Sequence, residues 1–148
     1  KFSEAITLYK KALKIAPHGP LPVRLFLLKV YIESGMPEVS EELAKELISQ
    51  EETHKKFWGT VFYASLLYEK NKESLGKEVL NNFLKENDVS FKEFIDEIWL
   101  SPFTGTITGS YDPLIDEVVY NLKMIHDPSL IDKSEQEGKD WTGGSQKD

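Results

Sequence analysis

Apolar and small side chains return along this chain in the rhythm of a helix, and the rhythm itself repeats. Ala5, Tyr9, Ala12 and Leu13 stand at i, i+4, i+7 and i+8, a spacing that gathers four residues on one face of an α-helix. Thirty-five residues on come Ser40, Ala44, Leu47 and Ile48, and after thirty-five more come Leu75, Val79, Asn82 and Phe83. A helical frame recurring at this period predicts stacked hairpins, because one hairpin cannot bury its apolar face alone. The fold class expected is all-α, an α-solenoid.

The first helix is predicted over about residues 2–16 and ends where Pro17, Pro20 and Pro22 force an extended turn. A second, over about 23–34, shows Val23, Phe26, Leu27 and Val30 as its apolar face, with Gly35 placed for a left-handed cap. Met36-Pro37 opens a third that carries Val39, Leu43, Leu47 and Ile48. The fourth, over about 54–70, is the most apolar. Its uncharged run 57–68 is far below the roughly 20 residues needed to span a bilayer, so it predicts a helix buried on most sides. A fifth bears Leu75, Val79, Leu80, Phe83 and Leu84.

The pattern changes after Asn87. Ser90 followed by Glu93 is a capping box, and the short helix behind it carries Phe91, Phe94, Ile95, Ile98 and Trp99. Residues 101–112 form a loop, and Asp112-Pro113 starts a helix with Leu114, Ile115, Val118, Val119, Leu122 and Ile125. These two helices are expected to pair as a divergent C-terminal hairpin, packing on Leu75, Val79 and Phe83. The organisation predicted is therefore repeats over 1–89, capping helices over 90–126 and a flexible acidic tail over 127–148. From Asp132 the tail has no apolar residue but Trp141, either a short docking motif or incidental.

Charge narrows the function classes. Six cations and one anion give residues 1–30 a charge of +5, so the total of −7 leaves −12 on residues 31–148. A negative field over most of the surface opposes nucleic acid and anionic lipid. With no cysteine there is no disulfide and no thiolate metal site. His18, His54 and His126 lie in separate segments without a second histidine at ligand spacing, so no metal site or cofactor is expected. Gly105 to Ser110 lacks the lysine of a phosphate loop. No nucleophile–base pair can be named, and the expectation is a protein that is not an enzyme. Neither a signal peptide nor a transmembrane segment is evident, and the compartment stays open.

Residues 2–17 resemble the second helix of a tetratricopeptide repeat, with small residues at Ala5 and Ala12, an aromatic at Tyr9 and a closing proline at Pro17. Val23, Phe26, Leu27 and Val30, and again Trp58, Val61, Phe62 and Ser65, fit the first-helix framework loosely. The resemblance covers about residues 1–87 and fades in the third repeat. The period of 35 also suits pentatricopeptide repeats, and Trp58, Tyr63, Ala64, Glu69, Val79, Phe83 and Leu84 are similar to a half-a-TPR pattern. The chain opens on a second helix, so the first repeat lacks its first helix. That points to a piece of a longer solenoid or a trimmed end, with self-association possible through the exposed repeat.

The resemblance implies an interaction scaffold or adaptor in a multi-subunit complex. Its concave groove would be lined by Arg24, Leu28 and Tyr31 from one repeat and Gly59, Tyr63 and Leu66 from the next, and would take a peptide or helix. The alternative it carries is an RNA-binding helical-repeat element of an RNA-processing assembly, against which the charge weighs.

Overall fold

The computed structural model describes residues 2–15, 21–100 and 113–131. Its helices run in the order α1 (Phe2–Ile15), α2 (Leu21–Glu33), α3 (Pro37–Ile48), α4 (Thr53–Glu69), α5 (Glu73–Asn87), α6 (Phe91–Leu100) and α7 (Pro113–His126), before a short 3-10 turn, Pro128–Leu130. Among the described residues there is no strand. The fold is all-α.

Three of the helices end in the same way. Gly35, Asn71 and Asp88 take left-handed backbone at φ of 75°, 63° and 51°. In each case the next residue donates its N–H back across the turn: Met36 to the Tyr31 carbonyl at 2.9 Å, Lys72 to Leu67 at 2.8 Å, Val89 to Leu84 at 3.1 Å. This is the Schellman closure, which satisfies carbonyls the helix leaves orphaned. Glycine, asparagine and aspartate are the residues that adopt it at least cost. The repeated device reverses the chain after α2, α4 and α5. At the start of α6 the capping box forms as the sequence predicts. Ser90 N–H donates to Glu93 Oε1 at 3.1 Å, and Glu93 N–H donates to Ser90 Oγ at 3.1 Å.

From α1 to α5 each helix packs on its neighbours in sequence, most closely α3 on α4 and α4 on α5. The centre is α4, enclosed by α3, α5 and α7 and buried without a break from Phe57 to Leu67. A helix with packed neighbours on three sides needs apolar residues all round rather than along a stripe, which is why 57–68 contains no charge. Trp58, Val61, Phe62 and Ala64 exclude solvent almost completely. Gly59 marks the closest approach. A Cβ there would fall 2.7 Å from the Ile48 nitrogen and 2.9 Å from the Ala44 oxygen, both backbone atoms of α3.

Polar contacts fix the register. Glu41 near the start of α3 pairs with Lys70 just beyond the end of α4. That hydrogen bond holds the Glu41 carboxyl below its usual range and raises Lys70. On the other side of α4, Asn121 of α7 is buried and donates to Ser65 Oγ at 2.9 Å and to Glu69 Oε1 at 3.1 Å. Ser65 is thus small and polar because α7 clips onto it.

The C-terminal helices depart from the expected hairpin. α7 packs on α4 and α5, whereas α6 meets α4 and α5 through Phe94, set against Phe57 and Phe83. The two meet where Phe91 stacks on His126, centroids 4.1 Å apart and planes 9° from parallel. Of the three expected supports, Phe83 is buried and Val79 is half-buried, but Leu75 is 42% exposed. α7, 14 residues long, is held on α4 by Asn121 at Ser65 and Glu69 as well as packing on α5. The loop 101–112, the tail with Trp141, His18 and the side chains of Tyr9, Leu13 and Val23 lie outside what the structure describes.

Candidate functional site

The six expected groove residues do not line an open groove. Arg24, Leu28 and Tyr31 are 6%, 0% and 3% exposed, Tyr63 and Leu66 are 9% and 7%, and Gly59 is buried. Arg24 instead pairs with Glu46 of α3. Gly59 is the α3 contact described above, and Tyr63 receives Lys45 over its ring at 5.7 Å. These side chains hold α2, α3 and α4 together. The cause is α2, whose sequence is apolar on nearly every side. Its inward face is Leu25, Leu27, Leu28 and Tyr31, while Phe26, expected inside, is 41% exposed. A nearly uniform helix leaves periodicity nothing by which to choose a face.

An open cleft lies elsewhere, where the start of α4, the end of α5 and the start of α6 come together. Each of the three helix ends contributes residues to its lining. Phe57, Phe83 and Phe94 meet there as its floor, with centroids 4.8 Å apart for Phe57–Phe94, 5.5 Å for Phe83–Phe94 and 5.9 Å for Phe57–Phe83. Edge-on and tilted pairs at these distances are favourable beyond the area they bury. Thr53 and His54 form one wall, Asn87 and Val89 a second, Glu93 and Glu97 a third, around about 320 Å³. The Asn87 amide is fixed by donating to the Phe83 carbonyl at 2.9 Å.

Glu93 and Glu97 are exposed and stand one helical turn apart. Hydrogen bonds from Ser90, the backbone N–H first and the hydroxyl second, hold the Glu93 carboxyl below its usual range. The capping box therefore keeps an anion at the mouth of the cleft. No lysine or arginine is among the lining residues. Phe57 and Phe83 are core residues, 6% and 7% exposed, and Glu93 is an exposed capping residue, as their sequence positions predict; what periodicity does not predict is that the two rings meet Phe94 beneath this cleft. The available signal was an aromatic within five residues of one end of each of three successive helices.

A shallower depression of about 440 Å³ separates α6 from α7, lined by Phe91, Lys92, Ile95, Asp96, Lys123, His126 and Asp127. Burial pushes the His126 imidazole down, with Asp127 opposing and Lys77 reinforcing that shift. Its Nδ1 is buried without a hydrogen-bond partner among the described residues. Among the described residues no set of three acidic, histidine or cysteine side chains is placed to hold a metal ion. None of the described helices is long and apolar enough to cross a membrane.

Comparison with family models, with curated proteins and with solved structures returns no match. The cleft brings together buried aromatic rings, two exposed carboxylates and a fixed amide.

Proposed function

We propose that this chain is a protein-interaction module, a scaffold or adaptor of stacked hairpins of tetratricopeptide type that holds a peptide or helix of a partner within a larger complex. The observation that carries this reading is the open cleft walled by Thr53, His54, Asn87, Val89, Glu93 and Glu97 above the buried rings of Phe57, Phe83 and Phe94. Concave apolar sites with a few fixed polar groups are the usual form of a binding site. Serial packing from α1 to α5 and the left-handed closures at Gly35, Asn71 and Asp88 support the solenoid part of the reading. Leu8 and Leu100, 65% and 78% exposed, add apolar surface beyond the cleft. Because Arg24, Leu28, Tyr31, Gly59, Tyr63 and Leu66 are buried, the groove they were expected to form is not the surface proposed here.

The test is reconstitution. Proteins retained by the immobilised whole chain are purified singly and titrated against it by calorimetry. A stoichiometric complex with a negative heat-capacity change, the mark of apolar burial, is the expected result. Failure of every retained protein to form a complex from purified components overturns the proposal.

A further inference from the structure

We infer that the cleft between α4, α5 and α6 docks a basic peptide, one large apolar side chain seating on the three phenylalanines while an adjacent lysine or arginine meets Glu93 and Glu97. The inference rests on the interaction-module reading and names the surface and the partner chemistry.

The cleft fits such an occupant on three counts. Its volume, about 320 Å³, is at the bottom of the range for small-molecule sites, about 300–1,000 Å³, and it opens to solvent along one side. That form suits a side chain carried on a strand or helix of a partner better than a whole enclosed ligand. The rings beneath it, Phe57, Phe83 and Phe94, are 6%, 7% and 1% exposed, so they are held rigidly by the core and an apolar group would meet their edges beside Val89.

Its electrostatics have one dominant sign. The titratable groups on the walls are His54, Glu93 and Glu97. Exposed Glu51 and Glu52 precede Thr53, and the carbonyl end of α5 faces the same side with its partial negative charge. Of the nearby cations, Lys55 lies 3.6 Å from Glu52 and Lys92 lies 3.5 Å from Asp96. The opposing influences are the N-termini of α4 and α6; Glu52 stands directly before the first, and Glu93 caps the second. A cationic group beside the apolar anchor would meet Glu93 already ionised and already positioned by Ser90. Single-stranded RNA has stacking bases for the floor but phosphates that the rim repels.

The experiment uses the whole chain and four synthetic probes in titration calorimetry, with amide shift mapping by NMR. The first probe is a short peptide with leucine and tryptophan flanked by lysine and arginine. The second replaces its cations with glutamate, and the third replaces its apolar pair with alanine. The fourth is a single-stranded oligouridine. The expected result is that the first binds, that the second and third bind about tenfold more weakly or not at all, and that shifts cluster at Phe57, Phe83, Val89, Phe94 and Glu97. Binding of the first peptide should also weaken about tenfold in the Glu93→Gln/Glu97→Gln chain, because glutamine keeps the capping box while removing both charges.

Equal binding of the glutamate peptide, shifts confined to another surface, or tighter binding of the oligouridine at the cleft would each overturn the inference. If none of the probes binds while a reconstituted protein complex forms, the inference fails and the interaction-module reading stands. If a complex never forms but the basic peptide binds as described, the cleft stands and the scaffold reading fails.

Discussion

Replacing Gly59 with alanine tests the packing at the centre of the fold. The added methyl carbon would sit 2.7 Å from the Ile48 nitrogen, 2.8 Å from Ile48 Cγ1 and 2.9 Å from the Ala44 oxygen. Ordinary contact for such a carbon begins at 3.4 Å, so α3 and α4 must part by up to about 0.7 Å, the gap between 2.7 and 3.4 Å. Two of the three atoms are backbone and cannot rotate aside. Overpacking costs about 1–3 kcal/mol, and clashes with backbone put this site in the upper part of that range, about 2–3 kcal/mol, while alanine is better than glycine inside a helix by about 1 kcal/mol. The net expected loss is about 1–2 kcal/mol.

Gly76→Ala supplies the control. It carries the same gain in helix propensity, but its nearest neighbours are the Ala64 oxygen at 3.1 Å and Ile125 Cδ1 at 3.2 Å, the second a flexible tip. The two effects should nearly cancel there. For a chain of this size 1 kcal/mol moves the melting temperature by roughly 3–4 °C. Gly59→Ala should therefore melt about 3–8 °C below Gly76→Ala in parallel circular-dichroism scans. If Gly59→Ala melts at or above Gly76→Ala, the close approach of α3 and α4 at this point is wrong.

Other expected outcomes follow from single contacts. Asn121→Ala removes the clip from α7 to Ser65 and Glu69 and takes its donor from the buried Ser65 hydroxyl; a loss of about 1–3 kcal/mol is expected in urea unfolding, and no change would refute the clip. Ser90→Ala breaks the capping box and should cost about 1 kcal/mol, with amide exchange accelerated first in α6. The His126 imidazole, buried against Phe91, sits below its ordinary range. The unfolded chain therefore takes up this proton first, near pH 6.5. Stability should fall as pH drops from there toward the folded pKa and level off below it. Urea titrations across that window should show a smaller fall for His126→Phe than for the parent chain.

The sequence alone determined the local features. The capping box at Ser90 and Glu93, the left-handed residue at Gly35 and the positions of the helices were all legible, because each depends on residues within a few places of one another. So was the burial of 57–68, since an uncharged helix of that length must be surrounded. The tertiary structure alone decided which face of α2 turns inward, because its apolar residues nearly encircle the axis and only the positions of α1 and α3 distinguish them. It also decided that Arg24 and Gly59 would join helices rather than line a groove. The meeting of Phe57, Phe83 and Phe94 was beyond periodicity altogether. A repeat of 3.6 residues fixes where a side chain stands around its own helix. Which other helix stands opposite is set by how the turns bring the ends together, and the cleft exists only there.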